Sequence, residues 1–199
     1  MKKNKVYSVL LKKAGDFFET LLITLFVVSM IFTYCFKIYI VKGDSMESTL
    51  IKGDALVIEI MPFFKYSHGD IIIADVDKAR LFTDSGDVYS KDVQKAIIIK
   101  RVIASEGQSI DIDFDIGKVF VDGKELREDY TNGLTHSDEG AFTGKYPFTV
   151  PKGYLFVMGD NRRNSLDSRS SDIGLVSVED VVGKVVLRIA PVGKIGRVK

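Results

Sequence analysis

The stretch Gly43-Asp-Ser-Met-Glu-Ser-Thr-Leu50 sets a serine behind Gly-Asp, a few residues after a long apolar run. Glycine and aspartate favour a tight turn in which the backbone can approach another group closely. A hydroxyl held there is a candidate nucleophile, with its own backbone N–H available to a developing oxyanion. The same octapeptide also reads as a helix start, with Asp44 or Ser45 as cap and Glu47 in the first turn. A serine nucleophile needs a base. His68 and His136 would allow a Ser-His-Asp arrangement, but both stand in polar, loop-like sequence. Lysine is the other possibility: a side chain of pKa about 10.4 must lose roughly 3 units, about 4 kcal/mol, to be neutral near pH 7. An apolar strand can impose that. Lys100 lies between Ile97-Ile-Ile99 and Val102-Ile-Ala104, and Lys184 lies in Val181-Val-Gly-Lys-Val-Val186. Composition does not separate the two, and either also reads as an edge lysine that blocks strand addition. A third cluster is Gly159-Asp-Asn-Arg-Arg-Asn-Ser-Leu-Asp-Ser-Arg169. Its alternating aspartates and arginines suit a loop fixed by charge-assisted hydrogen bonds directly after a buried strand.

The elements around these residues must hold them near a membrane. Thr20–Phe36 is 17 residues without a charge, about 25 Å as a helix, and Ile38–Val41 extends its apolar character towards the roughly 30 Å of a bilayer core. Lys37 can snorkel, and Tyr34 and Tyr39 suit an interface. Lys2, Lys3, Lys5, Lys12 and Lys13 precede the run against Asp16 and Glu19, so the positive-inside rule puts the N-terminus in the cytoplasm. A cleaved signal peptide is the rival, but the run is long for one and no small-x-small site follows. The expectation is an uncleaved single-pass anchor.

From residue 42 onward the patterns are strands and turns. Ala55–Ile60 reads as a strand ended by Pro62, Ser67–Asp70 as a turn, Ile71–Val76 and Ala96–Ala104 as apolar strands. Residues 77–95 read as polar and mixed, with Asp84–Asp87 as a loop tip. Ile110, Ile112, Phe114 and Ile116 alternate with aspartates, marking a half-buried strand. Val119–Val121, Asp122-Gly123 and Lys124–Leu126 form a hairpin signal. Residues 129–146 read as a surface loop or small insertion, and Tyr154–Met158 and Val181–Ala190 as further strands. The exported part is expected to be mainly antiparallel β, a folded or barrel-like sheet. A net charge of +1 in 199 residues gives no electrostatic case for nucleic acid. One cysteine, Cys35, and the lack of HExxH or paired-cysteine spacing argue against an internal disulfide and a catalytic metal.

Taken together, the segments resemble the bacterial type I signal peptidases, most closely the single-span Gram-positive kind. The resemblance runs from the apolar run to about Ala190. It rests on Gly43-Asp-Ser-Met46 with Thr49-Leu50, on Gly53-Asp54 and Gly69-Asp70, on Lys100-Arg-Val-Ile-Ala104, and on Val157-Met-Gly-Asp-Asn-Arg162 with Asn164-Ser165 and Asp167-Ser-Arg169. It implies an all-β fold and a Ser/Lys dyad without histidine: Ser45 as nucleophile, Lys100 rather than Lys184 as general base. Ser165 matches a serine that orients the lysine amine, and Arg101 with Asp160 and Asp167 with Arg169 match supporting ion pairs. Val41, Met46, Leu50 and Ile99 match positions lining a pocket for small side chains of a substrate bound as an added strand. There are departures. Ser48 stands where the family usually has proline, Arg163 where an acidic residue is common, and Gly43 where some members carry an oxyanion-hole hydroxyl.

The implied protein is a membrane-anchored serine endopeptidase that removes N-terminal signal peptides from exported preproteins after a small residue. Its partners are secretory preproteins and the lipid bilayer, with no nucleic acid, metal or cofactor. The expected division is a cytoplasmic 1–16, an anchor over 17–41 and an extracytoplasmic peptidase domain over 42–199, within which 105–150 is a variable β insertion. A self-cleaving Ser/Lys repressor shares the chemistry but needs a helical DNA-binding domain. A non-catalytic membrane-tethered β-domain acting as a binding module would explain anchor and sheet, but not the joint match of Ser45, Lys100 and Ser165.

Overall fold

A computed structural model of the chain describes residues 2–60, 65–83 and 85–198. It divides into two compact units, Met1–Lys37 and Ile38–Lys199. The first is a helix, α1 (Lys2–Cys35), within which Leu11–Cys35 is long and apolar enough to cross a membrane, at a mean hydropathy of 1.9. Its Thr20, Thr24 and Thr33 hydroxyls each donate to the carbonyl four residues back, 2.8 Å in every case. Those bonds satisfy the three threonine hydroxyls within the helix itself. The helix stops at Cys35. Phe36–Ile40 is strand β1, because alternating aromatic and β-branched residues suit a pleated surface. The apolar tail expected to complete the 17–41 anchor thus belongs to a sheet, and Val41 is buried in a core.

The second unit is antiparallel β. Its strands are β2 (Ala55–Glu59), β3 (Ile71–Phe82), β4 (Val88–Ser105), β5 (Ser109–Asp113), β6 (Lys118–Val121), β7 (Lys124–Glu125), β8 (Phe148–Thr149), β9 (Tyr154–Met158), β10 (Val176–Ser177) and β11 (Val181–Ala190). One sheet runs β1-β2-β11-β3-β4-β9-β10, and a smaller one runs β7-β6-β5-β8. The expectation of a mainly antiparallel fold behind one apolar helix is met. Pro62 and Asp84 lie outside the described residues.

Two differences from the sequence reading have physical causes. Residues 77–95 are mostly strand: the whole of β3 pairs with β4, from Ile71 opposite Arg101 to Phe82 opposite Val88. Ala79 and Leu81 alternate inwards, Asp77 and Lys78 face water, and Arg80 is covered by its ion pair with Asp180, a half-buried pattern that the polar residues conceal. The alternation after Ile110 ends at Asp113, whose carboxylate accepts from the Asp115 and Ile116 amides and turns the chain. Residues 129–146 run largely over the surface, as read, but anchor three buried side chains, Thr135, Ala141 and Phe142, in the fold. The Asp122-Gly123 hairpin is as read, with both residues at positive φ, 52° and 73°.

Three hydrophobic clusters hold the unit together. Phe142 sits among Phe82, Tyr146, Phe148 and Phe156 against the small sheet. The isoleucine run of β3 feeds the other two: Ile72, Ala74 and Val76 face Ile98, Val102 and Val157, while Ile71 and Ile73 face Met46, Leu50 and Leu56. A strand buried on both faces needs an unbroken apolar run, which Ile71–Val76 largely supplies.

Candidate active site

Ser45 stands in the turn that follows β1. The turn is closed by backbone bonds from Glu47 to Asp44 and from Leu50 to Met46, so the octapeptide forms a turn instead of starting a long helix. Its base is clamped: Val41 N donates to Asp54 O and Gly53 N to Val41 O, both at 2.9 Å. The buried Asp54 carboxylate accepts from Ile51 N and pairs with Arg188 at 2.9 Å, and Arg188 also donates to Thr49 O. Ser48 has φ 92° and donates its hydroxyl to Tyr130 O at 2.6 Å. A proline ring cannot reach that backbone angle, so the departure at Ser48 takes the turn along a different path.

Lys100 comes from the middle of β4 and is 4% exposed. Its Nζ lies 2.7 Å from Ser45 Oγ. As an ammonium it donates to the hydroxyl; once neutral it can accept the serine proton. Burial pulls its pKa down to about 8, with Arg169 in the same direction, while Asp167, Asp160 and Asp44 pull back. Lys184 is in another position altogether, about a third exposed and paired with Asp70 at 2.7 Å. His68 and His136 are exposed, each with Nδ1 against a backbone carbonyl, Ile103 O and Phe114 O.

Arg101 follows on β4 with its side chain towards the opposite face. It forks onto Asp160 at 2.8 and 2.6 Å, donates to Gly69 O and stacks 4.0 Å above the Tyr130 ring. Asp167 and Arg169 form a second buried fork at 2.9 Å in both arms. Burial alone would raise the Asp167 carboxyl, but Arg169 and the Gly159 N–H outweigh it and hold the group below the usual carboxylate range. Ser165 is buried nearby, but its hydroxyl makes no hydrogen bond among the described residues, to Lys100 or to any other group, while the Lys100 amine is engaged by Ser45.

The loop after β9 closes on the serine turn. Asn161 N donates to Ser45 O at 2.9 Å, Asn161 Nδ2 to Asp44 O at 3.2 Å and Asn164 Nδ2 to Asp44 Oδ2 at 3.0 Å. Gly159 makes this possible, since a β-carbon there would run into Ser165 Oγ and the Ser45 carbonyl oxygen. Beside Ser45 and Lys100 opens a cavity of about 550 Å³ between residues 38–46 on one side and 97–100 on the other, with Asn164 and Leu166 at its edge. Of the expected pocket residues, Val41, Met46 and Ile99 line it. Leu50 does not; it is fully buried in the core beneath, packed with Met46 and Val41. Gly43 also lines the cavity, with open space where a side chain would be. Sequence reasoning missed Asn161, Thr49 and Arg188 as parts of the frame. Each bonds a residue far away in the chain, and only their place inside the quoted motifs hinted at Asn161 and Thr49.

Residues 14–190 match the family described as signal peptidase, peptidase S26. The chain belongs to that family. It is 34% identical over 188 residues to signal peptidase I P of Bacillus subtilis subsp. natto, covering 92% of this chain and 93% of that one. It is also 34% identical over 158 residues to thylakoidal processing peptidase 1 of Arabidopsis thaliana, covering 78% of this chain and 42% of that one. A solved signal peptidase I from Enterococcus faecalis V583 is 26% identical, with a TM-score of 0.43 over 61% of this chain and 97% of that one. That superposition is too loose to add to the sequence comparison. Membership supports a signal peptidase I function.

Proposed function

We propose that the chain is a membrane-anchored serine endopeptidase that removes signal peptides from exported preproteins, with Ser45 as nucleophile and Lys100 as general base. The observation that carries this is the 2.7 Å approach of a buried lysine amine, its pKa lowered to about 8, to a serine hydroxyl at the edge of an apolar cavity. In the reaction the neutral Lys100 amine takes the Ser45 proton as Oγ attacks the scissile carbonyl. The resulting ammonium returns the proton to the leaving amine, and water then hydrolyses the acyl-enzyme by the same route. Arg101–Asp160 and Asp167–Arg169 fix the strand and loop on either side, and Val41, Met46 and Ile99 select small side chains before the cut. The α1 span confines enzyme and substrate to one plane and so raises their effective concentration. The N-terminus faces the cytoplasm and the β unit the outer side, in keeping with the lysines before the span.

The test is cleavage of a purified preprotein by the wild type, Ser45→Ala and Lys100→Ala, with folding checked by circular dichroism. Both variants are expected to be folded and inactive, and wild-type kcat/KM to rise through about pH 8 as the amine loses its charge. Turnover by folded Ser45→Ala would sink the proposal, and so would a rising limb near the histidine range of about 6.5.

A further inference from the structure

Resting on that reading of Ser45, we propose that Asn132 is a positioning residue for the nucleophile, acting through Asn161. Asn132 belongs to the polar Thr-Asn-Gly stretch of the long loop, where its residue type suggests nothing beyond a turn. In the fold it holds three consecutive residues of the loop after β9. Its N–H donates to Asp160 O at 3.2 Å, its Nδ2 to Asn161 Oδ1 at 2.7 Å, and its Oδ1 accepts from Arg162 N at 3.1 Å. The middle bond matters most. Because Asn132 occupies the Asn161 carboxamide oxygen, the Asn161 NH2 is turned to Asp44 O, while Asn161 N holds Ser45 O. Two successive carbonyls of the nucleophile turn are therefore fixed by one asparagine, whose orientation is set by another.

The same loop is tied to the site at two further points: Ser48 Oγ on Tyr130 O, and Glu128 on the buried Arg162. Asn132 itself is exposed, so its removal opens no core cavity. What it controls is direction. Freed from Asn132, the Asn161 carboxamide can rotate, the Asp44 carbonyl loses its fixed donor, the turn that carries Ser45 loosens, and the hydroxyl drifts from the lysine amine. Misplacement of a reacting group by about 1 Å costs on the order of 10²-fold in rate.

The experiment uses the full-length protein in detergent micelles, with wild type, Asn132→Ala, Asn132→Asp and Ser45→Ala assayed on one preprotein, and thermal unfolding followed in parallel. Asn132→Ala is expected to lower kcat by about 10- to 100-fold with KM within about twofold, and to leave the rising pH limb in place. Asn132→Asp keeps the size and the acceptor for Arg162 N but sets an oxygen against Asn161 Oδ1. It is expected to be impaired too, although a role in filling space alone would let it work normally. Wild-type kcat in Asn132→Ala, or restored kcat in Asn132→Asp, overturns the positioning role while an inactive Ser45→Ala leaves the nucleophile assignment standing. Activity in Ser45→Ala removes that assignment, and this inference with it. Should Asn132→Ala fail to fold, the isosteric aspartate decides.

Discussion

Lys100 is a charge placed where charge is disfavoured, and the consequence is measurable apart from catalysis. Its folded pKa, about 8, lies below the 10.5 of a free lysine. Below pH 8 the group is protonated in both the folded and unfolded states, and the folded state bears the whole cost of burying the cation. Between pH 8 and 10.5 the unfolded chain binds more protons, so wild-type stability rises with pH across that window. Lys100→Met removes the effect. We predict that its stability advantage over wild type shrinks by about 3 kcal/mol from pH 7 to pH 11, read from urea unfolding at a series of pH values. A pH-independent difference would mean that the amine is solvated. Gly159 makes the opposite kind of demand, for empty space. Gly159→Ala is expected to reduce turnover by at least about 10²-fold, because the added carbon must push Ser45 or Ser165 aside. Normal kcat in that variant would contradict the close approach.

At the scale of elements, the site is the meeting of three pieces: the turn after β1, the middle of β4 and the loop after β9. Hydrogen bonds join the turn to the loop, the buried Arg101–Asp160 pair joins β4 to the loop, and Arg162 ties the loop to Glu128. Such pairs matter most when half of one is removed. Arg162 is 2% exposed and depends on Glu128, Thr135 and Gly159 O for its bonds. Glu128→Ala leaves that guanidinium buried without its carboxylate and is expected to destabilise the protein by about 3 kcal/mol. Chemical denaturation would show this as a lower midpoint at unchanged slope. A loss below about 0.5 kcal/mol would mean that the pair behaves as an exposed one. The long β3–β4 hairpin plays a different part, since its register sets Lys100 opposite Ile72 and Arg101 opposite Ile71. A slip of one residue would exchange the faces of lysine and arginine.

At the scale of the whole molecule the proposal requires an orientation. Protease added outside intact cells is expected to digest the β unit, while an epitope tag before Met1 survives. The reverse pattern would overturn the positive-inside argument for this chain.

Much of this was legible in the chain before folding. The anchor is a local property: a long charge-free run flanked by lysines can be counted. So are the apolar strands, the Asp122-Gly123 hairpin and the tight turn at Ser45, because each depends on neighbours within a few residues. Family resemblance separated Lys100 from Lys184, which local composition could not. Tertiary structure decided what depends on distance through space. It set Lys100 in a buried position against Ser45 and left Lys184 about a third exposed and paired with Asp70, although both sit in similar apolar strands. It moved Leu50 out of the pocket and into the core, turned a polar loop into a clamp, and took the tail of the apolar run into a sheet. The physical reason is common to all four. Burial, desolvation and hydrogen bonding are set by what lies across the fold, and here those partners are tens of residues, and in places more than a hundred, away in sequence.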